Sequence, residues 1–196
     1  MKAPGAQAPL RIVSIGGGTG LSAQLAGLKR YSPAADITAV VTVTDDGGSS
    51  GRLRREFEVL PPGDIRNCLV ALSEDEGMLA KLFQYRFSSG RGLKGHSFGN
   101  LFLTALADIT GDFPHAVKLS SEVLAISGKI FPSTASSVTL EARLESGARL
   151  SGESRIGKSR APIAEVRLRP AHAKPLKETL EAIAAADLIT LGPGSL

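Results

Sequence analysis

One cysteine in 196 residues, no tryptophan, three histidines and 5% aromatic side chains leave several classes of protein without their raw materials. A lone Cys68 can build neither an internal disulfide framework nor a multi-cysteine metal site, and it fits a reducing compartment. Its plain role is that of a small buried apolar residue. So few aromatics, with a net charge of only +4, make a poor surface for stacking single-stranded bases, which argues against a nucleic-acid partner. No window approaches the ~18 continuous apolar residues of a membrane-spanning helix, and the segment from Met1 to Pro9 resembles no signal peptide. The expected setting is the cytoplasm, with residues 1–9 a disordered tail ahead of a single domain over 10–196.

A hydrophobic content of 42% is enough for that domain to bury a core without staples. The run Leu10-Arg-Ile-Val-Ser-Ile15 is short, β-branched and closed by glycines, as a buried parallel strand reads. Leu21, Leu25 and Leu28 then recur at helical spacing up to the breaker Ser32-Pro33. A second β-rich run, Ile37 to Thr44, stops at Asp45-Asp46-Gly47-Gly48-Ser49-Ser50-Gly51 and completes a βαβ unit. Helical patterning follows from Gly63 to Gly111, broken by the loop Ser88 to Gly95, and a further helix is expected around Ala116 to Ala125. Alternation returns in Ser137 to Leu144 and Ala164 to Arg169, which read as half-exposed antiparallel strands added to the main sheet. An amphipathic helix over Pro175 to Ala186 and a strand over Asp187 to Leu191 precede the ending Gly192-Pro193-Gly194-Ser195-Leu196. A glycine turn after a strand should feed a helix, so the sequence reads as a fragment.

Gly16, Gly17, Gly18, Thr19 and Gly20 sit between a strand and a helix, where glycines bring backbone N–H groups close to an anion at the helix start. The spacing is not the dinucleotide fingerprint, because Leu21 stands at its sixth position, and no Gly-Lys-Ser/Thr follows as in a Walker loop. Asp45 and Asp46 end the second strand, at the edge where open parallel sheets hold ligands. They can accept sugar hydroxyls or hold Mg²⁺, beside the phosphate-pairing candidates Arg52, Arg54 and Arg55. Asp64 reads as a natural helix N-cap, whereas Arg66 and Asn67 have no propensity reason to follow it and are candidates for ligand contact. Gly95-His96-Ser97-Phe98-Gly99 matches the hydrolase elbow G-x-S-x-G formally, but no buried strand precedes it. A second anion-binding helix start, with His96 and Ser97 near the ligand, is the better reading. Lys129 beside Gly128 can reach a phosphate or stand exposed, and His115 and His172 have no metal-ligand spacing.

Gly16-Gly-Gly-Thr-Gly20, Thr44-Asp-Asp-Gly-Gly-Ser-Ser-Gly51, Pro61-Pro-Gly-Asp-Ile-Arg-Asn67, Gly95-His-Ser-Phe-Gly-Asn100 and Leu191-Gly-Pro-Gly-Ser195, in this order, are highly specific together. From Arg11 onward the chain closely resembles the bacterial gluconeogenesis factor family, the YvcK-type proteins. That family is related to the 2-phospho-L-lactate transferase CofD, which builds the deazaflavin coenzyme. The resemblance implies an α/β fold: a Rossmann-like three-layer αβα sandwich with a mostly parallel sheet and added antiparallel strands. It implies a UDP-sugar ligand such as UDP-N-acetylglucosamine, and a regulator of growth on gluconeogenic carbon sources, of cell shape and of cell-wall synthesis. No cofactor is required by that reading, and the regulated partner protein is unidentified, with homo-oligomerisation open.

Carried onto this sequence, the ligand site would comprise Gly16 to Gly20, Asp45, Asp46, Gly47, Ser49, Arg66, Asn67, His96, Ser97, Asn100, Gly194 and Ser195, with no catalytic residue. The rival is a transferase of a phosphorylated group from a nucleotide-activated donor, in which Asp45 or Asp46 holds Mg²⁺. An NAD-dependent oxidoreductase is disfavoured by the broken fingerprint. The family continues past Leu196 with a helix and a stretch that includes part of the ligand site.

Overall fold

In the computed structural model, which describes residues 8–74 and 77–193, a parallel sheet carries the architecture. Strand β1 (Leu10–Gly16) runs into helix α1 (Gly18–Leu28), and β2 (Ala35–Val41) pairs with β1 in parallel over its whole length. The helices α2 (Gly48–Phe57), α3 (Gly63–Leu72), α4 (Met78–Gln84), α5 (Phe98–Thr110) and α6 (Phe113–Val123) follow before β3 (Lys129–Pro132) joins β2. After β4 (Thr139–Leu144), β5 (Arg149–Ser151), the one-turn α7 (Glu153–Ile156) and β6 (Ile163–Arg169), helix α8 (Lys177–Ala185) leads to β7 (Leu188–Leu191) beside β1.

The strand order β3-β2-β1-β7 follows from patterning. Nearly every residue of β2 is buried, as a central parallel strand demands. Ile12, Ile37, Ala39 and Val41 share a core with Leu21 and Leu25 of α1, Ile65 and Leu69 of α3, Phe83 of α4 and Leu103 of α5. Val13 and Val40 are buried apart from that cluster, as the alternation of a strand requires. Helix α8 lies against β1 and β3, and Thr179 Oγ1 on it donates to the Pro132 carbonyl. Helices thus cover the sheet as the α/β reading expects. Cys68 is fully buried, and burial pushes its thiol up to about 12.

The antiparallel strands are added as a sheet of their own, in the order β5-β4-β6, and not as edges of the parallel sheet. The reason lies in β4, where Glu141 and Arg143 alternate with Leu140, Ala142 and Leu144. A strand with one charged face cannot be covered on both sides by helices. Of the two alternatives for Lys129, the exposed one holds, on a strand and not in a loop. It opens β3, and its ammonium pairs at 3.2 Å with Asp36 near the start of β2, at the sheet's amino end. Among the described residues no helix is long and apolar enough to cross a membrane.

Candidate functional site

With β2 on one side of β1 and β7 on the other, the chain reverses direction of winding at β1, and the carboxyl ends of β1 and β7 flank the crevice where open α/β sheets hold ligands. The Gly16 to Gly20 turn stands there. Gly17 is the N-cap of α1 in extended conformation, with no side chain capping the helix. Gly18 has φ of 62°, a left-handed conformation that a side chain would strain, and a Cβ added there would meet nothing within 4 Å. The turn after β7 closes the crevice from the other side: the Gly192 N–H donates to the Ile15 carbonyl at 2.7 Å, and a Cβ on Gly20 would strike the Pro193 carbonyl. Gly194 and Ser195 lie outside the described residues.

The other motifs converge on this turn through a chain of contacts between helix starts. A Cβ on Gly17 would collide with Thr42 Oγ1 and lie 2.9 Å from Asp64 Oδ2, so the first turn of α3 packs under the glycine loop. At the start of α3, Gly63 abuts the Ser50 hydroxyl in the first turn of α2. The first turn of α2 meets α5 through Ser49, whose hydroxyl is 3.0 Å from His96 Nδ1. Helix α5 returns to α3, because Gly99 leaves room for the Arg66 methylenes, which a Cβ on Gly99 would approach to 2.9 Å. Four helix N-termini are gathered around the carboxyl edge of the sheet, each adding partial positive charge, while the Gly18 N–H is held by Asp64 and the Phe98 and Asn100 N–H groups by Tyr85 and Ser97.

Asp64 is not the N-cap of α3. Pro62 holds that position, and the Asp64 carboxylate instead accepts the Gly18 N–H. Burial raises it to about 6 against the Gly18 bond, with Asp45 and Glu153 pushing the same way and Arg66 opposing. Arg66 is itself only 9% exposed, and burial lowers its basicity, helped by Arg86. Its Nη2 donates to Asn67 Oδ1 at 2.6 Å, while its Nε and the Oδ1 of Asn100 are buried without partners among the described residues. Such orphaned groups at one place are unusual in a folded interior.

The sequence-derived candidates therefore fall into two kinds. Gly17, Gly18, Arg66, Asn67, His96 and Asn100 meet at the helix starts. Ser97 spends its hydroxyl as N-cap of α5, accepting the Asn100 N–H at 3.2 Å. Asp45 Oδ1 accepts the Gly47 N–H at 2.9 Å, folding the turn on itself. Asp46 is turned to the second sheet, where Oδ1 accepts the Ser154 N–H at 2.8 Å. Arg54 is tied to the Val138 carbonyl and to Ser137, and Arg52 to the Lys94 carbonyl.

Sequence reasoning passed over Thr42, Ser50 and Glu153, the last of which accepts the Thr44 hydroxyl at 2.6 Å. Thr42 stands just after β2 and Ser50 inside the Thr44 to Gly51 motif, whereas Glu153 offered no signal. Among the described residues no three of His, Cys, Asp and Glu are grouped as metal ligands. A divalent ion at Asp45 or Asp64 would thus draw its remaining ligands from water and phosphate.

A parallel sheet with a glycine turn at its reversal point defines a Rossmann-like α/β protein. Residues 12–196 match the family described as 2-phospho-L-lactate transferase CofD, and the chain belongs to that family. It is 60% identical over 186 residues to a putative gluconeogenesis factor of Nostoc sp., spanning 95% of this chain and 40% of that protein. It is 54% identical to the gluconeogenesis factor of Bacillus subtilis, spanning 95% of this chain and 58% of that protein. A crystal structure of a upf0052-family protein from Bacillus halodurans superposes with a TM-score of 0.90 at 50% identity, covering 97% of this chain and 60% of that one. The chain thus spans roughly half the length of the relatives it matches.

Proposed function

We propose that the protein binds a nucleotide sugar of the UDP-N-acetylglucosamine type in the cytoplasm and acts as a regulator, its occupancy reporting the supply of that compound to a partner protein. The observation that carries this reading is the gathering of the starts of α1, α2, α3 and α5 at the sheet's reversal point. Backbone N–H groups and helix dipoles suit a diphosphate there, and the open space over Gly18 lets the phosphates approach the backbone. Arg66 supplies a buried guanidinium beside them, and Asn67 and Asn100 offer amides for sugar or base. The relatives' names support a role in gluconeogenic growth, and control of cell shape and wall synthesis belongs to the same proposal.

Titration calorimetry with UDP-N-acetylglucosamine, with and without Mg²⁺, tests it. Metal-independent binding without turnover is the expected result. The family description favours a second reading, a transferase of a phosphorylated group, in which Asp45 and Asp64 hold Mg²⁺ and the ion offsets phosphate charge. Binding of a guanosine nucleotide only with Mg²⁺, and no heat from any UDP-sugar, would replace the first reading by this one.

A further inference from the structure

The second sheet ends on an unpaired edge. Strand β6 is bonded to β4 on one side only, and among the described residues nothing pairs with its other side. Its apolar face is only partly covered: Ala142 of β4 is buried and Leu140 half-buried, whereas Val166 and Leu168 opposite them are 40% and 41% exposed. Its other face is charged, with Glu165 bonded to Arg143 at 3.1 Å and Arg167 to Glu141 at 3.2 Å. Strand edges of this kind invite another strand.

We propose that this edge is where two copies of the chain pair, β6 against β6 in antiparallel fashion about a two-fold axis through Val166. The occupant is specified by charge. In that register Val166 faces its own copy, and Glu165 of each chain faces Arg167 of the other. The two symmetry-related rows through these charged residues then alternate in sign, Arg143, Glu165, Arg167, Glu141, half from each chain.

Sliding by two residues either way sets Glu165 against Glu165 or Arg167 against Arg167, and sliding by one turns the apolar residues to the charged face. The sequence of this strand therefore selects one self-complementary register, as an isologous contact requires. The irregularity between Arg143 and Leu144 leaves Ala164 without a partner in β4 and ends the straight run at Glu165, so the interface is short and the dimer is a weak, concentration-dependent one.

Sedimentation velocity on the chain at rising concentration tests the pairing, with two single variants as the decisive probes. Glu165→Lys alone and Arg167→Glu alone each set like charges opposite twice and should raise the dimer dissociation constant about tenfold or more. Mixed together, the two variants set the introduced lysine of one chain against the introduced glutamate of the other. The unchanged Arg167 of the first then faces the unchanged Glu165 of the second, so the mixture should dimerise where neither variant does. Val166→Cys should cross-link to a covalent dimer under mild oxidation, because the other thiol, Cys68, is buried. A parent chain that stays monomeric throughout overturns the proposal. So does a dimer that is indifferent to both charge variants and fails to cross-link through position 166.

Discussion

The Ser49 hydroxyl stands 3.0 Å from Nδ1 of His96, and with His96 only 4% exposed this contact joins the starts of α2 and α5. Burial and the neighbouring Arg52 hold the imidazole below its usual basicity, so it is neutral in the folded protein at neutral pH. Ser49→Ala leaves a ring nitrogen buried without a partner, and urea unfolding should show a loss of about 1–2 kcal/mol. Since the folded pKa lies below the unfolded value, the stability linked to His96 is full above about pH 6.5 and declines as pH falls below it. His96→Asn should flatten that acid limb, and an unchanged limb would show that the imidazole does not govern it.

Asp64 has the opposite linkage. Its carboxyl is raised from 3.8 to about 6, so the folded state holds the proton longer. Its contribution is full at low pH and is lost as pH rises through about 6. Asp64→Asn keeps an oxygen for the Gly18 N–H and removes the buried charge. It should gain about 3 kcal/mol at neutral pH. Parent and variant unfolding curves that keep the same separation at pH about 4 and about 7 would refute this.

Two adjacent glycines should fail in different ways. Gly17→Ala drives a methyl into Thr42 and against Asp64, so thermal unfolding should move down by several degrees. Gly18→Ala meets open space and costs only about 1–2 kcal/mol of left-handed strain, yet its methyl stands where the proposed phosphates approach. Calorimetry should find a folded Gly18→Ala protein whose affinity for UDP-N-acetylglucosamine has dropped at least about tenfold. Undiminished affinity would move the ligand away from this turn.

Arg66 separates binding from folding. Arg66→Met removes a buried guanidinium whose Nε has no partner among the described residues, and such replacements are often neutral or stabilising. The melting temperature without ligand should therefore hold or rise, while the rise on adding the nucleotide sugar disappears. A ligand-induced shift equal to the parent's would place Arg66 outside the site.

Asp46 tests the metal reading. With Oδ1 bound to the Ser154 N–H, Asp46→Ala should loosen α7 and β5, read as faster amide hydrogen exchange there. Unchanged exchange around Ser154, with loss of Mg²⁺ binding instead, would make Asp46 a metal ligand.

The parallel half of the fold was legible because its signals are local. Leu10 to Ile15, the leucines of α1 and the run from Ile37 are patterned by the same burial that the sheet imposes. Strand β3 was not, since four residues ended by a proline carry no periodicity. The site motifs could be found but not assigned: Asp64 reads as a cap because acids at helix starts usually are caps, and only the approach of Gly17 in space makes it the support of the glycine loop. Asp46 looked ready for a ligand for want of any sign of Ser154, 108 residues away. The separate second sheet was hidden by a limit of alternation, which reports a half-exposed strand without saying which sheet it joins.

The gathering of helix starts has a consequence for how such a protein can diversify. A cradle made of peptide N–H groups survives most side-chain replacement, because every residue but proline supplies the same donor. On the proposed reading, a backbone grip on phosphate would be uncoupled from the choice of what the phosphate carries, and substitutions at Asn67 or Asn100 would retune the second without spoiling the first. A scaffold with that division of labour is free to pass between chemistry and signalling, and the names attached to this family, a transferase and a set of gluconeogenesis factors, span that range.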